Sequence, residues 1–170
     1  MMNTGTVKVT TPSDREVAIT RVLDAPRRLV WEAWTNPEYV PHWMLGPGGW
    51  TMPVCEIDLR PGGAWHFVWR KSGGTEMEMR GTYREVKPPE RLVSTESWGG
   101  DWPETVNTLM LAEEDGKTTV TLTILYPSKE ARDAALKTGV KDGMSMSFTR
   151  LEEYLATLGD RGTEREERKS

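Results

Sequence analysis

The sequence predicts an α+β fold in which a curved antiparallel sheet of six or seven strands grips a long C-terminal helix. Three observations carry that expectation. Six runs of strand-like residues between Thr51 and Tyr126 are separated by very short turns, which makes neighbours antiparallel. A stripe of apolar residues at helical spacing follows them, from about Lys129 to Leu158. A sheet of that size must bury one face, and this last helix is the only predicted element long enough to cover it.

Arg15 to Leu23 (REVAITRVL) alternates Val17, Ile19, Leu23 and, less cleanly, Arg21, and stops at Asp24-Ala25-Pro26. The fixed φ of proline suits a helix's first turn. Leu29, Val30, Ala33 and Trp34 then form a helical stripe with Trp31 beside it. Asn36-Pro37 breaks this helix and starts a second short one, Glu38 to Trp43, ahead of a loop of glycine and proline at positions 45–49. The strands are Thr51 to Leu59, Ala64 to Arg70, Glu76 to Val86, Arg91 to Trp98, Thr105 to Glu113 and Thr118 to Tyr126. Ser128 has the chemistry of an N-cap for the last helix, which is expected to break near Gly139.

The chain of 170 residues suits one domain. Residues 1–14 and the charged run 159–170 (GDRGTEREERKS) are expected to be flexible ends outside a body spanning 15–158. A net charge of −4 with no basic stripe argues against nucleic acid. No apolar run spans a bilayer and no leader pattern opens the chain, so the expected location is the cytoplasm. Cys55 is the single cysteine and the histidines are His42 and His66, so neither a disulfide nor a zinc cluster is expected.

Asp115-Gly116 is a preferred centre for a two-residue hairpin, and a type I′ turn there fixes the register. Leu111 then faces Val120, Leu109 faces Leu122 and Asn107 faces Ile124, all on one side of the sheet. Asn107 is the polar exception on that inner face. Trp65, Phe67 and Trp69 share one face of their strand, and Met77, Met79, Gly81 and Tyr83 share one face of the next. Leu136, Val140, Met144, Phe148, Leu151 and Leu155 form the stripe of the last helix, with Gly139, Gly143, Met146 and Ser147 as a thinner strip beside it. Each glycine costs about 1 kcal/mol in a helix interior. Small and flexible residues set against large aromatics suit an apolar pocket. A solid core, or close approach by a strand or by a partner subunit in a homodimer, explains the same pattern.

No G-x-S-x-G, P-loop or dinucleotide fingerprint occurs. Cys55 lies mid-strand without a histidine partner in its motif, which disfavours a thiol nucleophile. His42 is either an acid or base at a pocket mouth or an exposed helix-end histidine. Glu96 is a buried general base if its face of the strand turns inward and an ordinary exposed carboxylate if it turns outward.

The segments ITRVLDAPRRLVWEAWTNPEYVPHWMLGPGGWT, EIDLRPGGAWHFVWR, GTYREVKPPERLVSTESW and DAALKTGVKDGMSMSFTRLEEYL, taken in that order, resemble the START-like (SRPBCC) helix-grip superfamily. Within it they resemble the bacterial homologues of the activator of heat shock protein 90 ATPase, over about Glu16 to Leu158. The resemblance implies a seven-stranded antiparallel sheet around a C-terminal helix, with two short helices after the first strand. It implies no fixed catalytic residue, and the superfamily includes lipid and hormone carriers, polyketide cyclases and co-chaperone domains.

The expected function is binding of a small, largely apolar molecule, lipid-like or aromatic, by Trp43, Trp65, Phe67, Trp69, Met79, Trp98, Asn107, Gly143, Met144 and Ser147. No catalytic residue, metal or cofactor is assigned. The alternatives are a cyclase or hydrolase in which Glu96, His42 or Asn107 acts on a bound carbonyl compound, and a chaperone partner. The last is discounted because a chain of this length has room for one domain only.

Overall fold

The computed structural model describes residues 7–45, 49–97, 104–138 and 140–169; of 140–143 and 159–169 only the helical backbone is described. The strands are β1 (Lys8–Thr10), β2 (Glu16–Leu23), β3 (Trp50–Ile57), β4 (Ala64–Lys71), β5 (Glu76–Lys87), β6 (Arg91–Glu96), β7 (Thr105–Glu114) and β8 (Lys117–Leu125). The helices are α1 (Arg27–Thr35), α2 (Lys129–Lys137) and α3 (Val140–Lys169). All eight strands join one antiparallel sheet in the order β1-β2-β8-β7-β6-β5-β4-β3. The expected α+β helix-grip architecture is what forms. The differences are an added edge strand, because Lys8–Thr10 pairs with Ala18–Thr20 of β2, and a last helix that runs on past Leu158. No helix of the described residues is long and apolar enough to cross a membrane.

Local chemistry explains most of the boundaries. Asp115 and Gly116 both have positive φ, 53° and 76°, as a type I′ turn requires, and the register that follows pairs Asn107 with Ile124 and Leu109 with Leu122. Ser128 caps α2 by accepting a hydrogen bond from the Ala131 amide at 3.1 Å. Pro26 sits one position earlier than expected: with ψ 149° it is the N-cap of α1, and its carbonyl accepts from Leu29 at 3.0 Å. Glu113 of β7 reaches the amide of Arg27 at 2.8 Å and serves the cap that a proline side chain cannot. Between Asn36 and Trp43 the expected second helix shortens to a 3₁₀ turn, Val40–His42, because the Asn36 side chain takes the Glu38 amide at 2.9 Å and Pro41 follows directly. The break before α3 falls where expected, with Thr138 as the C-cap of α2; Gly139 lies outside the described residues.

The inner face of the sheet and one side of α3 form the core. Val17, Ile19 and Leu23 of β2 are fully buried, as are Val120 of β8 and Phe148 and Leu151 of α3. Arg21, the odd member of the β2 alternation, is also buried, at 4 % exposure. Its guanidinium pairs with Glu152 of α3 and lies 5.9 Å above the Phe148 ring, so the charge clamps the helix to the sheet. Two helix positions differ from expectation: Leu136 of the stripe is 37 % exposed, because it belongs to α2 before the break, and Met146 of the thinner strip is 44 % exposed on the far side of α3. On the sheet's outer face Met110 is 41 % exposed among threonines, as the hairpin register requires.

Candidate functional site

The upper half of α3 does not fill the space beneath the sheet. A cavity of about 340 Å³ remains there. Its walls come from three parts of the chain. Trp65, Phe67 and Trp69 of β4 and Met79 and Tyr83 of β5 form one side. Trp34 of α1, Trp43, Met44 and Leu45 after it, and Trp50 at the start of β3 form a second. Met144 and Ser147 of α3 close it against Leu92, Ser94, Glu96, Asn107, Leu109 and Leu122 of the central strands.

The aromatic side chains form two clusters. Trp34 lies 4.7 Å from Trp43 and 5.9 Å from Phe148, and on the other side Phe67 lies 4.8 Å from Trp65 and 5.9 Å from Trp69, centroid to centroid. Two indoles are anchored through their N–H groups: Trp43 donates to the Ala33 carbonyl at 2.8 Å and Trp69 to the Met44 carbonyl at 2.7 Å. These bonds tie the loop after α1 to both walls. The Trp65 indole N–H is buried and has no acceptor among the described residues.

One corner is polar. The Thr105 hydroxyl donates to Asn107 Oδ1 at 3.1 Å, and the Asn107 amide in turn donates to the carboxylate of Glu96. Ser94 pairs with Asn107 across β6 and β7, which places Ser94, Glu96 and Asn107 on the cavity side together. The question of which β6 face turns inward is thereby resolved in favour of Glu96, and Thr95 points to the other side. Nearby, Tyr126 has its phenol pushed up to about 12, first by burial and then by the negative charge of Glu96.

Of the ten residues expected to bind ligand, Trp43, Trp65, Phe67, Trp69, Met79, Asn107, Met144 and Ser147 line the cavity. Trp98 lies outside the described residues, and of Gly143 only its helical backbone is described. His42 is not a cavity residue: it stacks on Tyr154 of α3 at 4.8 Å, on the solvent side of the 3₁₀ turn. His66 faces outward, with Nε2 3.1 Å from Glu78, and Cys55 is absent from the lining. The lining residues outside that expected set include Trp34, Trp50, Tyr83, Leu92, Ser94 and Glu96. Tyr83 already shared the inner face of β5 with Met79, whereas Trp34 belongs to α1 and Trp50 to the start of the edge strand β3, whose places beside the cavity only the tertiary fold determines. Among the described residues no group of His, Cys, Asp or Glu is gathered to hold a metal.

Burial sets a pH limit on this region. The Cys55 thiol is pushed up to about 11 by desolvation, Tyr126 to about 12, and Tyr83 is also raised, by burial first and then by Cys55. In the unfolded chain these groups ionise near their ordinary values, roughly 8.5 for a thiol and 10 for a phenol. Their contribution to stability is therefore complete below about pH 8.5 and is lost as the pH rises toward 12. The melting temperature is expected to fall steadily between pH 8.5 and 11, and Cys55→Ala to delay the onset of that fall; an unchanged melting temperature over the range would contradict the burial of these groups.

The fold and the cavity together define a class: a helix-grip domain with an aromatic-lined cavity between its last helix and its sheet. The chain matches the family described as "Activator of Hsp90 ATPase homolog 1-like protein" over residues 24–156, and it belongs to that family. Among solved structures, a protein of Rhodobacter sphaeroides is 27% identical, with a TM-score of 0.84 over 90% of this chain and 99% of that one. A protein of Nitrosomonas europaea is 25% identical, with a TM-score of 0.78 over 87% and 98%. An AHSA1-like protein from Aeromonas hydrophila, at 21% identity and a TM-score of 0.66 over 84% and 94%, shares the fold. No curated protein matches the sequence.

Proposed function

We propose that this protein binds a small, largely apolar molecule in the chamber between α3 and the sheet. The observation that carries the proposal is the cavity itself: about 340 Å³, walled by Trp, Phe and Met, with its polar groups gathered at Ser94, Glu96 and Asn107. A closely packed interior leaves no such void unless something other than stability maintains it. Few convergent polar groups in an apolar concavity are the usual composition of a ligand pocket. The Hsp90 association in the family's name is separate from the cavity.

Five tryptophans line the chamber, so occupancy should report itself in their emission. Titration with a panel of neutral aliphatic and aromatic compounds is expected to find members that shift Trp fluorescence saturably. At a hundredfold excess over Kd, such a compound adds about 2.7 kcal/mol of stability. For a chain of this length that is a rise of roughly 5 to 10 °C in melting temperature. A panel that moves neither signal would count against a ligand-binding role.

A further inference from the structure

Among the described lining residues of the chamber Met77 alone is exposed, at 41 %; the others are buried or half-buried. It marks the place where the chamber meets solvent. Met77 pairs with Trp69 near the end where the chain passes from β4 to β5, and Trp50 begins β3 at that same end, paired with Lys71. Met79, two residues further along the same face of β5, is only 7 % exposed. One strand face thus runs from water into the chamber, with a thioether at each step.

A thioether at such a boundary is flexible and apolar, which suits it to lie across the mouth of an apolar pocket. It is also a group that an aqueous oxidant converts from apolar to polar. A sulfur lone pair attacks one oxygen of hydrogen peroxide, the S–O bond forms as the O–O bond breaks, and hydroxide leaves and takes the remaining proton from the attached oxygen. Sulfur is oxidised by two electrons, and the products are a sulfoxide and water. A sulfoxide at position 77 has two places to go. Kept in the mouth, it is an unpaired polar group against the ligand; turned out to water, it leaves the mouth uncovered. Both weaken binding. Met110 and Met146 are as exposed as Met77 but do not line the chamber, and the Cys55 thiol, which burial keeps protonated and unreactive, is also outside the lining. We propose that Met77 is a modification site that couples oxidation to ligand release: conversion of its thioether to the sulfoxide by hydrogen peroxide lowers the chamber's affinity for apolar molecules. This rests on the reading of the chamber as a ligand site.

The test treats the full-length protein with hydrogen peroxide at pH 7, follows each methionine by peptide mass spectrometry, and titrates N-phenyl-1-naphthylamine before and after. Met77 is expected to oxidise well ahead of Met79. Once Met77 is oxidised, the Kd for the probe is expected to rise at least about tenfold, and reduction by methionine sulfoxide reductases to reverse the rise. Met77→Leu, whatever its starting affinity, should show a Kd that peroxide changes by less than about twofold, whereas Met110→Leu stays as sensitive as the unaltered protein. Met77→Gln, a permanent polar group of similar length, should bind the probe at least about tenfold more weakly with no oxidant present, which keeps the test open if the leucine variant does not fold. Unchanged affinity in protein whose Met77 is oxidised overturns the inference, and so does an equal loss of binding in Met77→Leu, since another group would then be responsible. Oxidation of Met79 as fast as Met77 overturns the placing of the mouth. If the untreated protein binds neither this probe nor any neutral compound, it is the ligand-site reading that fails.

Discussion

Replacing Ser147 with Phe is expected to abolish uptake of a neutral apolar probe such as N-phenyl-1-naphthylamine while leaving the protein folded. Ser147 is 6 % exposed and lines the chamber from α3, next to Phe148, which is fully buried in the core. A phenyl ring at 147 enters the space that a ligand would occupy. The energetic effects nearly cancel. Filling an apolar void recovers about 24 cal/mol per Å³, while the lost hydroxyl interaction costs about 1 kcal/mol. The melting temperature should therefore stay within roughly 4 °C of the original. A solid core would respond differently: overpacking costs about 1 to 3 kcal/mol, so a clear fall in melting temperature together with retained probe binding would show that the space is not the ligand site.

Gly81→Ala is expected to destabilise the fold by about 3 kcal/mol, lowering the melting temperature by roughly 10 °C. The reason is steric and lies in the way β5 crosses β6. A Cβ at position 81 would sit 1.9 Å from the Thr95 carbonyl oxygen and 2.8 Å from its carbon, with Cζ2 of Trp65 also at 2.8 Å. Backbone atoms cannot yield as a flexible side chain can. Gly81 lies between the Tyr83–Ser94 pair and the Arg80–Ser97 bridge, which share one register, and the register shifts beyond them, between Tyr83 and Glu85. Between them the Thr82 amide turns to the Thr95 hydroxyl at 3.0 Å instead of to a carbonyl. Since Glu96 follows Thr95 directly, pushing the strands apart would also displace the polar corner. Thermal unfolding of Gly81→Ala followed by circular dichroism measures the effect; an unchanged melting temperature would mean that β5 and β6 do not approach so closely.

Much of the chamber was legible in the sequence because it depends on local rules. A two-residue turn at Asp115-Gly116 sets which residues of β7 and β8 share a face, and that alone turns Asn107 inward. Alternation in WHFVWR separates Trp65, Phe67 and Trp69 from His66, Val68 and Arg70. The unread parts are those in which both faces of an element look alike or in which the partner is distant. β6 offers Leu92 and Val93 side by side, then Ser94 and Glu96 against Thr95, so its inward face is decided by its pairing with Asn107 and not by its own pattern. Arg21 looked like a defect in an apolar strand until Glu152, 131 residues away, supplied its counter-charge. Trp34 and Trp50 enter the chamber because the segment between them is folded back by the Trp43 and Trp69 indole bonds, and no local pattern announces that.

His42 shows the opposite case. Its position before the glycine-rich loop allowed a role at a pocket mouth, but stacking on Tyr154 holds the ring on the outside of α3. Glu96 is turned inward by the pairing of β6 with β7, whereas His42 is held outside by its stacking on Tyr154 of α3.

The central claim is that the chamber holds a small molecule, and native mass spectrometry of the protein with and without N-phenyl-1-naphthylamine tests it most directly. The account predicts a one-to-one adduct with the unaltered chain and none with Ser147→Phe; a spectrum showing only the bare chain in both cases, or equal adducts in both, would contradict it.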